Sequence, residues 1–316
     1  LKIEYVASLI SSAFALEALA LKPGNVHPFT GIRNNMLYED FVLTANIAQP
    51  YITRCIRRGY YHRRTRALFA DLIRRALEKV LISTGSNTCL GSLLLIMPIS
   101  YGVGMILATS KRLSDIKLLL EKARETVLAS TVWDAIEFYR AVRKAMPSYI
   151  RRTDDVGEQV NVWDPQYVKK LLEKGEGLGI ILEKTCPRDM VACEAVTYNL
   201  TLETTRFIEK RLNIHGDFRR AVTEAYLHIL SENIDTMVLR SRGKEIAVYA
   251  SRLASEALSR ITGIDDESWM KVVRLVDEEF ERKGICPGST ADIIVAALAA
   301  LLISNHNKPY TIYKVL

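Results

Sequence analysis

Apolar residues recur at three- and four-residue spacing from one end of the chain to the other, and two-residue alternation never persists. The spacing predicts helices over residues 5–21, stopped by Pro23-Gly24, and over 39–58 and 65–82. A wholly apolar segment follows at 91–108. Ser114 is a suitable N-cap for a helix over 115–128, and another runs from Thr131 or Trp133 to Met146, ahead of Pro147. Further helices are predicted near 165–173 and over 188–212, 217–231, from Asp235 or Gly243 to Thr262, 266–283 and 289–304. Residues 151–164, rich in Asp, Gly and Asn, lack periodicity and read as a long loop, a kind of segment that often carries function. Residues 309–316 read as a short extended tail.

Two helices are apolar on every side, 91–108 and 293–303, which calls for burial all round. No fixed repeat and no Pro- or Ser-rich linker divides the 316 residues. The expected architecture is therefore one compact all-α domain built around these two central helices. Residues 92–108 approach membrane-spanning length, but Pro98, Gly102 and Gly104 interrupt them and no aromatic belt flanks them. A core helix bent at Pro98 is expected there, and no membrane span.

Composition narrows the class. Hydrophobic residues make up 49% and charged residues 25%, enough apolar surface to order the chain. The net charge of +7 is compatible with nucleic acid, phosphorylated metabolites or simply a solvated surface. The densest basic stretch, from Arg54 to Lys79, reads first as an exposed helix pair and turn, and second as a phosphate-binding surface. A basic helical nucleic-acid-binding module is the rival from another class, although no known module of that kind is present. The five cysteines form no C-x-x-C pair, so a zinc knuckle or disulfide framework is not expected, and reduced thiols are. With no basic leader at Leu1, a cytoplasmic protein is expected.

Four polar turns interrupt the helices. Lys22-Pro23-Gly24-Asn25-Val26-His27-Pro28 places a cation, an amide and an imidazole on a stiff turn. Asn87-Thr88-Cys89-Leu90-Gly91 leads into the first apolar helix, and Gly288-Ser289-Thr290-Ala291-Asp292 leads into the second. Capping alone accounts for small hydroxyl and amide residues at such points. Two such turns also suggest two helix N-termini facing one anionic ligand. The G-x-x-x-x-G-K-[ST] spacing of a P-loop is missing. The fourth group is acidic and basic together: Asp154 and Asp155 in the loop, and Asp235-Thr236 followed by Arg240, Arg242, Gly243 and Lys244. Carboxylates of this kind bind the Mg²⁺ of a triphosphate, and the cations neutralise its oxygens.

In this order the turns resemble the triphosphoribosyl-dephospho-CoA synthase family. The resemblance rests on Lys22-Pro23-Gly24, on Asn87-Thr88 with Gly91, on Asp235-Thr236 through Gly243, and on Pro287-Gly288-Ser289-Thr290-Ala291-Asp292. Cys89-Leu90 stand where bacterial members carry His-Lys, and residues 151–163 have no counterpart of the family's Gly/Glu-rich segment. The sequence is thus similar to a divergent, archaeal-type branch.

The resemblance implies an enzyme that transfers the triphosphoribosyl unit of ATP to the ribose 2′-hydroxyl of 3′-dephospho-CoA and releases adenine, with Mg²⁺ as cofactor. It implies His27 and Asp235 as catalytic groups and Asp155, Asp235 and Asp292 as metal ligands. Lys22, Gly24, Asn25, Asn87, Thr88, Gly91, Arg240, Arg242, Lys244, Gly288, Ser289 and Thr290 would then bind the nucleotide and its phosphates. Another nucleotide-dependent transferase or hydrolase on the same fold is the alternative.

Overall fold

The computed structural model describes residues 2–61, 65–109, 112–147, 150, 157–264 and 268–307. Among them the helical spacing becomes fifteen α-helices, with no strand beyond an isolated bridge between Arg33 and Met36. In chain order these are α1 (Ile3–Leu19), α2 (Tyr38–Tyr60), α3 (Ala70–Thr84), α4 (Leu90–Ala108) and α5 (Ile116–Leu128). There follow α6 (Val132–Ala145), α7 (Tyr167–Lys174), α8 (Leu178–Thr185), α9 (Met190–Thr197) and α10 (Asn199–His215). The series closes with α11 (Phe218–Glu232), α12 (Thr236–Arg242), α13 (Lys244–Ile261), α14 (Ser268–Lys283) and α15 (Gly288–Ser304).

The two all-apolar helices are central, as their composition requires. α4 is covered by α2, α3, α5 and α15, and α15 by α1, α4, α10 and α11. One hydrophobic core runs from Val6 to Ile303 through both. α4 is long and apolar enough to cross a membrane, yet 83% of its most apolar window is buried inside the fold. It continues through Pro98 without a break. Each large aliphatic side chain buried along these two helices contributes about 1.5–3 kcal/mol over its exposed state.

Two of the departures from the sequence-based expectation share a cause. Helix ends buried inside a helical protein must find partners for their free N–H groups, and at α3 and α10 a carboxylate of another helix supplies them. α3 begins at Ala70 and not near Thr65, because Asp134 of α6 accepts from the amides of Leu68, Phe69 and Ala70. The predicted helix over 188–212 is two helices. Tyr198 adopts a left-handed conformation between them (φ 56°), and Glu194 accepts from the amides of Leu200 and Thr201 to start α10. Asp115, and not Ser114, caps α5 by accepting from Leu118. Of the two possible starts at Asp235 and Gly243 both are used, for α12 and α13. α8 was not foreseen. Of the loop expected over 151–164, residues 157–164 form turns, while residues 151–156 and the tail over 309–316 lie outside the described residues.

Among the described residues of the basic stretch, three arginines have acidic partners. Arg57 pairs with Glu4, Arg58 with Asp71, and Arg74 with Glu78 and Glu137. The guanidinium of Arg66 lies over the Trp133 ring. The cysteine expectation is corrected. Cys186 and Cys193 are joined by a disulfide, because the 3-10 turn Cys186–Arg188 folds the end of α8 back onto the start of α9. Cys55, Cys89 and Cys286 are free.

Candidate active site

A cavity of about 630 Å³ lies between the N-terminal ends of α4 and α15 on one side and α6 and α8 on the other. Three of the four polar turns reach it. Leu90 and Gly91 come from the first turn of α4, Ser289 and Asp292 from the first turns of α15, and Met237 and Arg240 from α12. The two helix N-termini anticipated from sequence therefore face one space.

Of the two carboxylates that line this space, Asp189 and Asp292, Asp292 is the one without a basic partner. Ser92 donates its hydroxyl to Oδ1 at 2.5 Å. The other oxygen lies against Gly91, where a Cβ atom would stand 2.0 Å from Oδ2. Only glycine at position 91 admits the carboxylate to the start of α4. Among the described residues no Lys, Arg or His pairs with Asp292. Burial pushes its carboxyl up to about 7, against the hydrogen bonds from Ser92, with the charges of Glu17 and Asp235 adding to the rise. A carboxylate held beside two helix N-termini without a cationic partner is a ready site for a cation brought by a ligand. Gly91→Ala is expected to displace it and to cost about 1–3 kcal/mol in urea unfolding, with little change in the far-UV circular dichroism.

Arg240 lines the same cavity. Asp189, which caps α9 through the Ala192 amide, ion-pairs with the Arg240 guanidinium at 2.7 Å, and the Arg188 carbonyl accepts from it at 2.9 Å. Thr236 accepts from the Met190 amide at 3.1 Å, tying α9 to α12. Arg188 and Asp189 both line the cavity and were missed in the sequence. Their only local signal was an Arg-Asp pair directly after Pro187. Ser92 was missed as well, since nothing adjacent to it in sequence indicates a carboxylate 200 residues away.

The remaining residues singled out from sequence stand elsewhere. Asp235 is buried, and both its oxygens are filled. Oδ1 accepts from the amides of Met237 and Val238, and Oδ2 from the amide and hydroxyl of Thr290. It caps α12 and α15 at once, an arrangement that leaves no open face for a metal ion. Burial pushes its carboxyl up, opposed by these same donors. Asn87 caps α4 by accepting from Cys89 and Leu90, and Thr88 bonds Thr44 of α2 at 2.5 Å. Arg242 donates to the Gly284 carbonyl, and neither it nor Lys244 lines the cavity. Asp155 lies outside the described residues.

The Lys22–His27 turn also faces away from the cavity. Lys22 is fully buried, and its ammonium closes the C-terminal end of α1 by donating to the carbonyls of Glu17 and Ala20 at 2.6 and 3.1 Å. Burial drives its pKa below the usual lysine range, partly offset by the Glu17 carboxylate. Gly24 has φ +79°, and a Cβ there would stand 2.3 Å from the Ile285 carbonyl. Asn25 donates to the Tyr226 hydroxyl at 2.9 Å. His27, expected as a base, uses both ring nitrogens internally. Nδ1 accepts from the Phe29 amide, so Nε2 carries the proton toward Asp277 at 3.2 Å. The turn thus braces the Cys286–Gly288 turn from beneath and so holds the start of α15. Its link to the cavity is mechanical.

The model of the ATP:dephospho-CoA triphosphoribosyl transferase family matches residues 3–310. The chain belongs to this family. Its members are triphosphoribosyl transferases, so the chain is an enzyme of that class. A solved structure from Archaeoglobus fulgidus, named as a triphosphoribosyl-dephospho-CoA synthase, superposes with a TM-score of 0.62 at 18% identity. The superposition covers 83% of this chain and 98% of that one, and at this identity it speaks for the fold. No curated protein matches the chain in sequence.

Proposed function

We propose that this enzyme moves the 5′-triphosphoribosyl group of ATP to the 2′-hydroxyl of 3′-dephospho-CoA, releasing adenine, and that the cavity beside Asp292 is where it does so. The observation that carries the reading is Asp292 itself: a carboxylate without a counter-ion, set at the start of α15 against the start of α4, in a cavity that Arg240 also lines. Helix N-termini and arginine suit the oxygens of a triphosphate. The reaction breaks the C1′–N9 bond and leaves the triphosphate on the sugar, so these groups must hold the phosphates without assisting their hydrolysis. Arg240, steadied by Asp189, can orient the chain of phosphates without offering a nucleophile to it.

The donors fit a magnesium ion that arrives with ATP. Mg²⁺ needs one or two carboxylates and takes its other ligands from phosphate and water, and Asp292 offers one carboxylate with Ser92 and Ser289 beside it. When bound, the ion would neutralise charge on the triphosphate. Asp235, with both oxygens occupied, is not part of this proposal. Calorimetric titration should show ATP binding weaken at least tenfold once Mg²⁺ is chelated; equal affinity with and without the ion would exclude the role.

The reaction has a distinctive product pattern. Incubation with ATP and dephospho-CoA should yield free adenine in step with acceptor consumption, and neither phosphate nor pyrophosphate. Most ATP-using enzymes cut a phosphoanhydride and leave the glycosidic bond intact. Phosphate release without adenine would put the chain's chemistry in another nucleotide-dependent class.

A further inference from the structure

The disulfide between Cys186 and Cys193 spans the stretch of chain that supplies Pro187, Arg188, Asp189, Val191 and Ala192 to the cavity. Neither cysteine lines the cavity itself, and each is half-buried, within reach of a small thiol from solvent. The 3-10 turn Cys186–Arg188 buries none of its residues, so core packing does not fix it. What holds it is the disulfide, which ties the end of α8 to the first turn of α9. Such a cross-link narrows the conformations open to the loop it closes. Arg240 in turn rests on this stretch. Nη2 of its guanidinium meets both the Arg188 carbonyl at 2.9 Å and the Asp189 carboxylate at 2.7 Å.

We infer that the Cys186–Cys193 disulfide is a thiol-sensitive switch on the phosphate grip of the cavity: closed, it holds the turn that fixes Arg240, and opened by an external dithiol it releases that arginine. The inference rests on the reading of Arg240 as a phosphate-binding group. Opening is a two-electron reduction by thiol–disulfide exchange. A thiolate of the dithiol attacks one sulfur, and the other cysteine leaves as a thiolate and takes up a proton. The second thiol of the reductant then displaces the first cysteine in the same way. The protein gains two thiols and the reductant becomes a disulfide. The chain's own thiols do not replace the reductant. Cys55 and Cys89 are buried, and burial pushes Cys286 up to about 12, so it carries almost no thiolate near neutral pH. With the pair open, the cap of Asp189 on the Ala192 amide still starts α9, but the exposed turn before it can move against that helix. Arg240 then becomes a mobile side chain that a phosphate must order on binding, which weakens affinity about two- to tenfold.

Redox titration of the full chain tests this. Alkylation after denaturation should find three free thiols in the air-oxidised protein and five after dithiothreitol. Reduction should speed deuterium exchange of the amides over 187–193 by about tenfold. Calorimetry with inorganic tripolyphosphate should show binding about two- to tenfold weaker in the reduced chain, and re-oxidation should restore it. The doubly substituted Cys186→Ser, Cys193→Ser chain should bind like the reduced protein and ignore dithiothreitol. Arg240→Ala should bind weakly in both redox states, which separates the switch from a general loosening of the cavity. If the double variant does not fold, reduction and re-oxidation of the natural chain decide alone. Five thiols in the oxidised protein, equal tripolyphosphate affinity in the two redox states, or a double variant that still responds to dithiothreitol overturns the switch. Redox-dependent exchange over 187–193 with no tripolyphosphate bound in either state would overturn it differently. The phosphate reading of Arg240 would then fail, and the disulfide would be a structural brace.

Discussion

Asp292→Asn is expected to cut adenine release about a hundredfold or more, the equivalent of roughly 3 kcal/mol, while raising the thermal midpoint at pH 8. The substitution keeps an oxygen to accept from Ser92 and removes the charge. Burial holds the carboxyl at about 7 in the folded chain, well above its ordinary value near 3.8. A group raised in this way stabilises the fold fully below about pH 4, where both states are protonated, and that contribution is lost as the pH climbs through 7. The Asn variant has no proton to lose, so its melting temperature should rise relative to wild type between pH 5 and pH 8. ATP–Mg²⁺ affinity should move the other way. In the wild-type chain it should strengthen over the same interval, because a cation binds the ionised carboxylate and displaces its proton. In the variant it should be flat and weak. Melting curves and calorimetry across this range test both signs, and a variant that melts lower at pH 8 would refute the account.

The contrast between Asp292 and Asp235 shows what could be read from the sequence. The two buried helices were legible because α4 and α15 are apolar on every side, and such helices have only one stable place in a soluble fold. That Gly91, Ser289 and Asp292 share a cavity was expected from the glycine and hydroxyl turns entering those helices. The division of labour among the acids was not legible. Asp235 precedes a helix and reads equally as a ligand or a cap; what decides is Thr290, 55 residues away, whose amide and hydroxyl fill the second oxygen. The breaks at α3 and α10 were hidden in the same way. Asp134 acts across more than sixty residues, and Tyr198 carries no turn signal of its own. Local propensity cannot report a cap supplied by another helix.

The first polar turn gives the largest expected effect on stability. Asp277 of α14 accepts from the Gly24 amide at 2.9 Å, from His27 Nε2 at 3.2 Å and from both terminal nitrogens of Arg33 at 2.5 and 3.1 Å. Burial alone would raise its carboxyl, but the donors His27, Arg33 and Gly24 hold it below the usual aspartate range. Asp277→Ala removes an acceptor from three residues and leaves the buried Arg33 with Glu281, a largely exposed partner at 3.1 Å. Breaking a buried pair costs about 3–5 kcal/mol, since the remaining charge is desolvated without compensation, and a loss toward the lower end of that range is expected in urea unfolding. A depressed carboxyl stabilises above its unfolded pKa, so the gap between wild type and variant should be full at pH 7 and shrink as the pH falls below about 4. Because the Gly24 turn supports Ile285 and Pro287, the same change should loosen the start of α15 and weaken ATP binding without altering the ratio of adenine to acceptor consumed. If Asp277→Ala instead spared stability and abolished turnover at saturating ATP, the turn would be part of the chemistry and its role as a brace would be wrong.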